Sequence, residues 1–252
     1  MPIPSPTNPA KRVNWDTAKR CLAEIQREAP ILLQQAVIIG GVACWFYRTL
    51  LTDAKDADFG VPNFSEIQES NWLSKDLDFT NFFAEDARQL LKEHVVSDNQ
   101  QRKFVEIAGV PIGFAQVGLT FDPDSAWTES WIASFDVDGT SVECRMLDPI
   151  SLYREKLSLS QRRRSESDQM HCALVTEFLR YHICNIAGTL ASATSVGERT
   201  LPIKFLLSVR DRASEVCRDP RVAKRLNNIL ANSTTLAPSE RKLLSELALS
   251  PA

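Results

Sequence analysis

The 252-residue chain lacks the hydrophobic signals that direct proteins to a membrane. No uninterrupted apolar run approaches the roughly 18 residues that a membrane-spanning helix needs. The stretch 1–6 is rich in proline and lacks the apolar core of a secretory signal peptide. These absences favour a cytoplasmic protein with no membrane partner.

Paired cysteine motifs are also missing. No C-x-x-C spacing of the kind found in zinc and redox sites occurs in the chain. The cysteines are scattered, and several fall on apolar faces, which predicts buried free thiols in a reducing cytosol, with neither a zinc site nor a disulfide framework. They are Cys21, Cys44, Cys144, Cys172, Cys184 and Cys217.

The chain has no excess of positive charge. Its formal net charge of −3 argues against broad electrostatic binding to nucleic acid but leaves room for a local basic patch. Basic residues gather where the helical half begins, at Arg154, Lys156 and 162–164. They could hold a triphosphate or an RNA backbone, or they could form a solvated face balanced by nearby acids.

Familiar hydrolase arrangements are absent as well. G-x-S-x-G does not occur, and no Ser/His/Asp or Cys/His set stands out. His171 and His182 fall on nearly the same side of one predicted helix, but no third ligand is spaced to join them. Packing or surface roles are therefore favoured for both histidines.

The pattern of apolar residues changes near residue 150, from mixed helices and strands to helices alone. We therefore predict an α+β fold, with a small mixed β-sheet and its helices followed by a C-terminal helical bundle. The predicted parts are a disordered lead-in over 1–12, a core over 13–150 and a helical domain over 151–252. Helical patterns cover about 150–160, 167–188, 200–217, 220–232 and 237–248.

The core carries strand signals separated by turns. Asp138-Gly139, flanked by alternating residues, is the strongest hairpin signal in the chain. Residues 53–73 form a long excursion of the kind that is usually functional or mobile. Strands are predicted at 35–39, 77–80, 103–107, 112–120, 131–137 and 140–147.

The first chemical motif is Val37-Ile38-Ile39-Gly40-Gly41-Val42-Ala43. It predicts a buried strand that turns abruptly into a helix through two glycines. Gly40 and Gly41 would let the backbone approach a ligand and leave free N–H groups at a helix start, where phosphate is stabilised. Alternatively, the two glycines only make a tight turn.

The second motif is Ser74-Lys75-Asp76-Leu77-Asp78-Phe79. Side chains alternate along a strand, so Asp76 and Asp78 point the same way while Leu77 points into the core. Two neighbouring carboxylates repel each other unless a cation lies between them. The pair therefore predicts half of a divalent-metal site.

Together the two motifs resemble the nucleotidyltransferase fold of the DNA polymerase β superfamily. The closest likeness is to bacterial nucleotidyltransferase-like proteins of the abortive-infection toxin type, which the run 142–149 with Leu152 and Lys156 also resembles. The resemblance covers roughly residues 35–185. It implies that Gly40 and Gly41 face the nucleotide phosphates and that Asp76 and Asp78 hold Mg²⁺ or Mn²⁺. The predicted nucleotide contacts are Gly40, Gly41, Ser74, Lys75 and Lys156.

The resemblance also implies a third carboxylate on a neighbouring strand. The strand 112–117 has Gly113 where an acid is expected. Glu106, Asp122 and Glu143 are the substitutes, and Glu106 is preferred because it lies in a short apolar strand near the middle of the sheet. If none of them reaches the metal, the fold is catalytically degenerate.

A rival acidic pair, Asp56 and Asp58, lies closer in sequence to the glycines. It stands in a polar, turn-rich stretch, with only Ala57 as a core anchor. Asp76 and Asp78 are preferred because Leu77 and Phe79 anchor them in a strand.

The leading hypothesis is a metal-dependent nucleotidyltransferase that transfers a nucleoside monophosphate from a nucleoside triphosphate to an acceptor hydroxyl. The acceptor stays open among RNA, a protein and a small molecule. The resemblance suggests a toxin or phage-defence role with a cognate antitoxin. The alternatives are a catalytically degenerate member that binds nucleotide or a protein partner, and a helical interaction protein whose mixed half is a scaffold.

Overall fold

The computed structural model describes residues 13–62, 74–97, 103–115 and 120–249. In these ranges the chain forms a seven-stranded mixed sheet with helices and a run of C-terminal helices, which confirms the predicted α+β class. The predicted lead-in over 1–12 and residues 63–73 of the excursion lie outside the described residues.

The helices and strands follow one another along the chain in the order in which we number them. They are α1 (Trp15–Glu28), α2 (Pro30–Gln35), β1 (Val37–Ile39), α3 (Gly40–Ala54), β2 (Leu77–Thr80), α4 (Ala84–Leu90), β3 (Val95–Ser97), β4 (Lys103–Ile107), β5 (Val110–Phe114), α5 (Pro123–Glu129), β6 (Trp131–Val137), β7 (Thr140–Met146), α6 (Pro149–Arg163), α7 (Glu166–Ser192), α8 (Val196–Arg212), α9 (Pro220–Asn232) and α10 (Pro238–Ala248).

The described residues divide into two compact units. The sheet unit contains residues 13–46 and 74–148, and the helical unit contains 47–62 and 149–249. The segment 47–62, which the sequence analysis places inside the core, thus belongs to the helical unit. One reason is aromatic packing, since the rings of Tyr47 and Phe178 lie 4.6 Å apart.

The sheet runs in the order β3-β4-β5-β2-β1-β7-β6. At its centre, β1 is antiparallel to β2 and parallel to β7, and β2 is parallel to β5. All three residues of β1 are buried, which explains its uninterrupted apolar sequence. The glycine turn and the Asp-x-Asp strand are therefore side by side at the centre of the sheet.

The two faces of the sheet differ in chemistry. Paired residues on neighbouring strands point to the same side, and the side alternates along each strand. Leu77, Phe79 and their paired neighbours form an apolar face that packs on α1, for example through Trp15 against Phe135. The opposite face, which we call the Asp78 face, carries Asp78.

The hairpin predicted at Asp138-Gly139 is confirmed. Both residues have positive φ, 48° and 79°, as a type I′ turn requires. This turn fixes the register of β6 on β7 over seven residue pairs. Arg145 consequently lies opposite Ile132 and takes a fixed place on the sheet.

The helical unit contains the five predicted C-terminal helices, as α6 to α10. The predicted stretch 200–217 differs in detail. α8 begins earlier, at Val196, because Ser195 and Glu198 form a capping box at its start. It ends at Arg212, and a separate short 3₁₀ turn covers Ser214–Arg218.

The thiols behave as predicted. All six cysteines are free, and all but Cys172 are buried. Burial raises the pKa of Cys21, Cys144, Cys184 and Cys217 to about 12, so these thiols stay protonated and unreactive at neutral pH.

The described helices give no sign of a membrane crossing: not one of them combines the length and the apolar character that a span requires.

Candidate functional site

The glycine turn brings the backbone against the Asp78 carboxylate. β1 ends at Ile39, and α3 begins at the next residue, Gly40. Gly40 has φ +71°, a left-handed conformation that residues with a side chain rarely adopt. A Cβ built on Gly40 would stand 2.9 Å from Asp78 Oδ2. The turn therefore requires glycine both for its conformation and for its closeness to the carboxylate.

A second glycine flanks the same carboxylate from the other side. β5 pairs with β2 in parallel, and Gly113 is the direct partner of Asp78. A Cβ on Gly113 would stand only 2.1 Å from Asp78 Oδ1, much too close for any side chain. We call Gly40 and Gly113, with the Asp78 carboxylate between them, the glycine cradle.

The other predicted nucleotide contacts of the sheet unit lie close by in the chain. Gly41 is buried in the first turn of α3, and Asp76 is half-buried one residue before β2. Ser74 is buried, and its carbonyl accepts a hydrogen bond of 2.8 Å from the Val13 N–H. Lys75 is exposed. The motif that begins at Ser74 thus starts on an anchored backbone and leads directly into the cradle.

Electrostatics favour an anion at this point. The first N–H groups of a helix lack partners within the helix, and its dipole places partial positive charge there. α3 begins at Gly40, beside the Asp78 carboxylate. A phosphate bound at the same helix start would meet the negative charge of Asp78, so the arrangement is suited to a phosphate accompanied by a cation.

The preferred third carboxylate, Glu106, lies on the Asp78 face but at a distance. Glu106 pairs with Pro111, so it is two strands and two residues from Asp78. Strand spacing then places the two Cα atoms about 12 Å apart. The structure does not bring Glu106 into the cradle.

The two substitutes have other surroundings. Asp122 caps α5, where its carboxylate accepts hydrogen bonds from the Ser125 N–H and Oγ. These bonds, the backbone one first, hold the pKa of Asp122 below its ordinary value. Glu143 is exposed on β7, two strands and four residues from Asp78 by register, roughly 16 Å between Cα atoms.

The donor set fits Mg²⁺ when the substrate supplies the rest. No group of three His, Cys, Asp or Glu residues close enough to hold a metal occurs among the residues that the structure describes. Mg²⁺ is commonly held by one or two carboxylates together with substrate phosphates and water. Asp76 and Asp78 are carboxylates of this kind, and the missing Cβ atoms of Gly40 and Gly113 leave room for the Asp78 carboxylate beside the start of α3.

The rival pair, Asp56 and Asp58, is engaged in the helical unit. Arg225 donates two hydrogen bonds of 2.9 Å to Asp56 and lies 3.1 Å from Asp58 Oδ2. Burial opposes ionisation of Asp56, but the amides of Asp58 and Phe59 and the Arg225 guanidinium outweigh it and lower its pKa. This pair fixes the segment to α9.

The predicted basic contacts also lie in the helical unit. Lys156 is buried, and its Nζ is 3.8 Å from Asp168 Oδ1. Arg154 donates to the Arg212 carbonyl at 3.0 Å. The run 162–164 is exposed at the end of α6, as the interpretation of a solvated face expects. Lys156 thus has a carboxylate neighbour within its own unit.

Sequence reasoning missed the role of Gly113. It noted only that an acid was lacking there, whereas the structure shows that the position touches the Asp78 carboxylate. It also gave no role to Arg145, which stacks on Trp127. Both depend on strand register, which no local pattern in the chain specifies.

Comparison with known proteins adds little. No family model matches the chain, and no curated protein matches it. Among solved structures, the chain is similar to the crystal structure of an antigenic nucleotidyltransferase-like protein from Paracoccidioides brasiliensis, with 16% identity over 81% of this chain and 94% of that chain. The TM-score is 0.41, too low for the likeness to carry an argument.

Proposed function

We propose that this protein is a metal-dependent nucleotidyltransferase, which transfers a nucleoside monophosphate from a nucleoside triphosphate to an acceptor hydroxyl. The observation that carries the proposal is the glycine cradle, in which a helix start and an Asp-x-Asp carboxylate meet. Phosphate and carboxylate are both negative, so they share that space only with a cation between them.

The residues of the sheet unit divide the work. The N–H groups that begin α3 at Gly40 and Gly41 bind phosphate oxygens, and Ser74 and Lys75 contact the nucleotide beside them. Asp76 and Asp78 would hold Mg²⁺ or Mn²⁺, which supplies neutralisation of the triphosphate and activation of the attacking oxygen when bound. The role of Lys156 as a basic nucleotide contact stays a prediction from the sequence.

Catalysis in this proposal comes from positioning and charge. The acceptor hydroxyl attacks the α-phosphate in line, the bond from the α-phosphate to the bridging oxygen breaks, and pyrophosphate leaves. No third acid is assigned in this proposal, because Glu106, the acid that the sequence predicts for that role, lies two strands and two residues from Asp78. The proposed acceptor is RNA, a protein or a small molecule. A toxin or phage-defence role with a cognate antitoxin follows from the family resemblance alone.

A second candidate function is nucleotide or protein binding without transfer. Gly113 favours it, because this position beside Asp78 has no room for an acidic side chain. The lack of a group of three potential metal ligands in the described ranges favours it as well. The two functions share the cradle and differ only in whether pyrophosphate is released.

Calorimetric titration with each of the four ribonucleoside triphosphates and Mg²⁺ tests the proposal. The wild-type protein is expected to bind at least one of them, and the Asp76→Asn/Asp78→Asn double mutant is expected to lose that binding. Asp136→Asn is the matched control, because Asp136 is an exposed carboxylate of strand β6. Equal affinity of the wild type and the double mutant would refute the metal assignment.

Pyrophosphate release then separates the two functions. The bound triphosphate is incubated with RNA, with protein and with the purified chain alone, and release is measured for the wild type and the double mutant. Release that depends on Asp76 and Asp78 supports transfer. Binding without release under all conditions supports the second function.

A further inference from the structure

Arg145 shares the Asp78 face of the sheet. On one side of β1, Ile39 pairs with Asp78, and on the other side Val37 pairs with Arg145. Val37 and Ile39 are two residues apart, so all four side chains point to the same face. Strand spacing places the Cα atoms of Asp78 and Arg145 about 12 Å apart, on the side of β2 away from Glu106.

The guanidinium of Arg145 is held by an aromatic ring and a hydroxyl group. Its central carbon lies 4.1 Å from the ring centroid of Trp127, and its Nη1 donates to Ser130 Oγ at 3.1 Å. The Trp127 ring is fixed in turn by its Nε1–H, which donates to the Gln34 carbonyl at 3.4 Å. The charge of Arg145 therefore has a defined position before any ligand arrives.

No carboxylate neutralises Arg145 within the described ranges, although several arginines of the helical unit have such partners. Arg199 pairs with Glu240, Arg221 with Glu177 and Asp219, and Arg225 with Asp56. Among the described strand residues, Arg145 is also the one cation on the Asp78 face. A preorganised cation without a carboxylate partner is suited to an anionic ligand.

We infer that Arg145 binds the β- and γ-phosphates of the nucleotide, an inference that rests on the proposed function. The guanidinium has five N–H donors, and Ser130 engages one nitrogen, so the remaining edge is available to phosphate oxygens. Negative charge accumulates on these phosphates as pyrophosphate leaves, and a fixed cation stabilises that charge. The Cα atoms of Asp78 and Arg145 are about 12 Å apart, and this is the distance that an extended triphosphate and the arginine side chain together would span.

Stacking on Trp127 reduces the entropy cost of phosphate binding by Arg145. A free arginine side chain loses considerable rotamer entropy when it is immobilised by a ligand. The ring and Ser130 have already restricted Arg145, so less entropy is lost on phosphate binding. Arg145 is thus a substrate-binding residue that is ordered in advance.

The test uses inorganic pyrophosphate without metal, together with nucleoside triphosphate and monophosphate in the presence of Mg²⁺, all by calorimetry. In Arg145→Gln, the affinity for pyrophosphate and for triphosphate should fall at least about 10-fold, since charged hydrogen bonds contribute that much. The affinity for the monophosphate, which lacks the distal phosphates, should stay the same. Arg163→Gln removes a charge from an exposed site and should change nothing.

Unchanged pyrophosphate affinity in Arg145→Gln, or an equal loss in Arg163→Gln, would overturn the inference. If Arg145→Gln does not fold, Arg145→Lys is used to test the inference, because lysine keeps the positive charge but lacks the planar guanidinium with its paired N–H donors. Its triphosphate affinity should fall relative to its monophosphate affinity, and an unchanged ratio would overturn the inference.

The proposed function can fail separately. Pyrophosphate binding that depends on Arg145, without any Mg²⁺-dependent nucleotide binding, would support Arg145 as an anion-binding residue and refute the proposed transferase function. Mg²⁺-dependent triphosphate binding that Arg145→Gln does not weaken would support the proposed function and refute the role of Arg145 in phosphate binding.

Discussion

Two of the Asp-x-Asp segments in the chain, 56–58 and 76–78, have different surroundings. In the helical unit, Asp56 and Asp58 are engaged by Arg225. In the sheet unit, the Asp78 carboxylate lies between Gly40 and Gly113, so its neighbours on both sides are backbone atoms of glycines. The first segment has its counter-charge from Arg225, and the Asp78 carboxylate of the second lies against backbone at a helix start.

The comparison shows that the spacing of two acids does not define a metal site. What distinguishes the segments is the residue placed beside each carboxylate by long-range contacts. Arg225 follows Asp56 by 169 residues, and Gly113 meets Asp78 through a parallel strand pair. Mutations of these neighbours, and not only of the acids, therefore test the assignment.

The largest effect is expected from Gly113→Ala. The new Cβ would stand 2.1 Å from Asp78 Oδ1 and must displace the carboxylate. Overpacking of this kind costs about 1–3 kcal/mol of unfolding free energy, and Mg²⁺-dependent nucleotide binding should be lost with it. Chemical denaturation and calorimetry measure the two effects.

Gly188→Ala is the matched control, because a Cβ there meets nothing within 4 Å and the residue lies inside α7. It should stabilise the protein by about 0.5–1 kcal/mol, as alanine does within a helix. Combining Gly113→Ala with Asp78→Ala should recover part of the lost stability, since the clash disappears. Fully additive losses would contradict the cradle.

An intermediate effect is expected from Arg225→Gln, which removes the partner of Asp56 and Asp58. Leaving the half-buried Asp56 without its guanidinium should lower the unfolding free energy by about 1–3 kcal/mol. Nucleotide binding should be unchanged, because this acidic pair serves the helical unit. A loss of Mg²⁺-dependent nucleotide binding in Arg225→Gln would favour Asp56 and Asp58 over Asp76 and Asp78 as the metal-binding pair.

Arg210→Gln is the control for that prediction, since Arg210 forms exposed ion pairs with Asp211 and Glu246 and its loss should have no measurable effect.

The unfolding free energy at acidic pH is a second measurement of the contact between Arg225 and Asp56. The pKa of Asp56 is lowered in the folded protein, so its contribution is present above the ordinary pKa near 4 and disappears as the pH falls through the lowered value. The wild type should lose more stability in that range than Arg225→Gln.

An effect that is absent at neutral pH and appears only in acid concerns His182 in the helical unit, whose ring stacks on Phe178 at 5.5 Å and meets Phe205 edge-on at 4.8 Å. Burial lowers the pKa of His182 from 6.5 to about 4. Between these values the unfolded chain binds the proton and the folded protein does not, so stability falls as the pH drops from 6.5 towards 4. Melting temperatures across this range measure the slope.

His182→Phe keeps the aromatic packing and should remove that pH dependence while leaving nucleotide binding unaltered. A slope that persists in His182→Phe would assign the acid sensitivity to other groups. A pH-dependent loss of nucleotide binding in the wild type alone would couple His182 to the site and weaken the contrast between the units.

Local patterns were sufficient for the features that depend on neighbours in sequence. The change from mixed to helical structure near residue 150, the Asp138-Gly139 turn and the strand that enters a helix at Gly40 all follow from periodicity and glycine chemistry. The Asp76 and Asp78 assignment to the site stays a prediction, but the strand that carries Asp78 was recognised for the same reason. Short elements such as α2, β3 and α5 escaped prediction because they contain too few residues to show a period.

The cradle could not be derived in this way. That Gly113 touches Asp78, that Arg145 shares its face and that residues 47–62 belong to the helical unit are consequences of strand register and long-range packing. A shift of one residue in register would turn Asp78 to the other face of the sheet. The amino-acid order supplies the carboxylates, the glycines and the arginine, and the pairing of distant strands decides which of them meet.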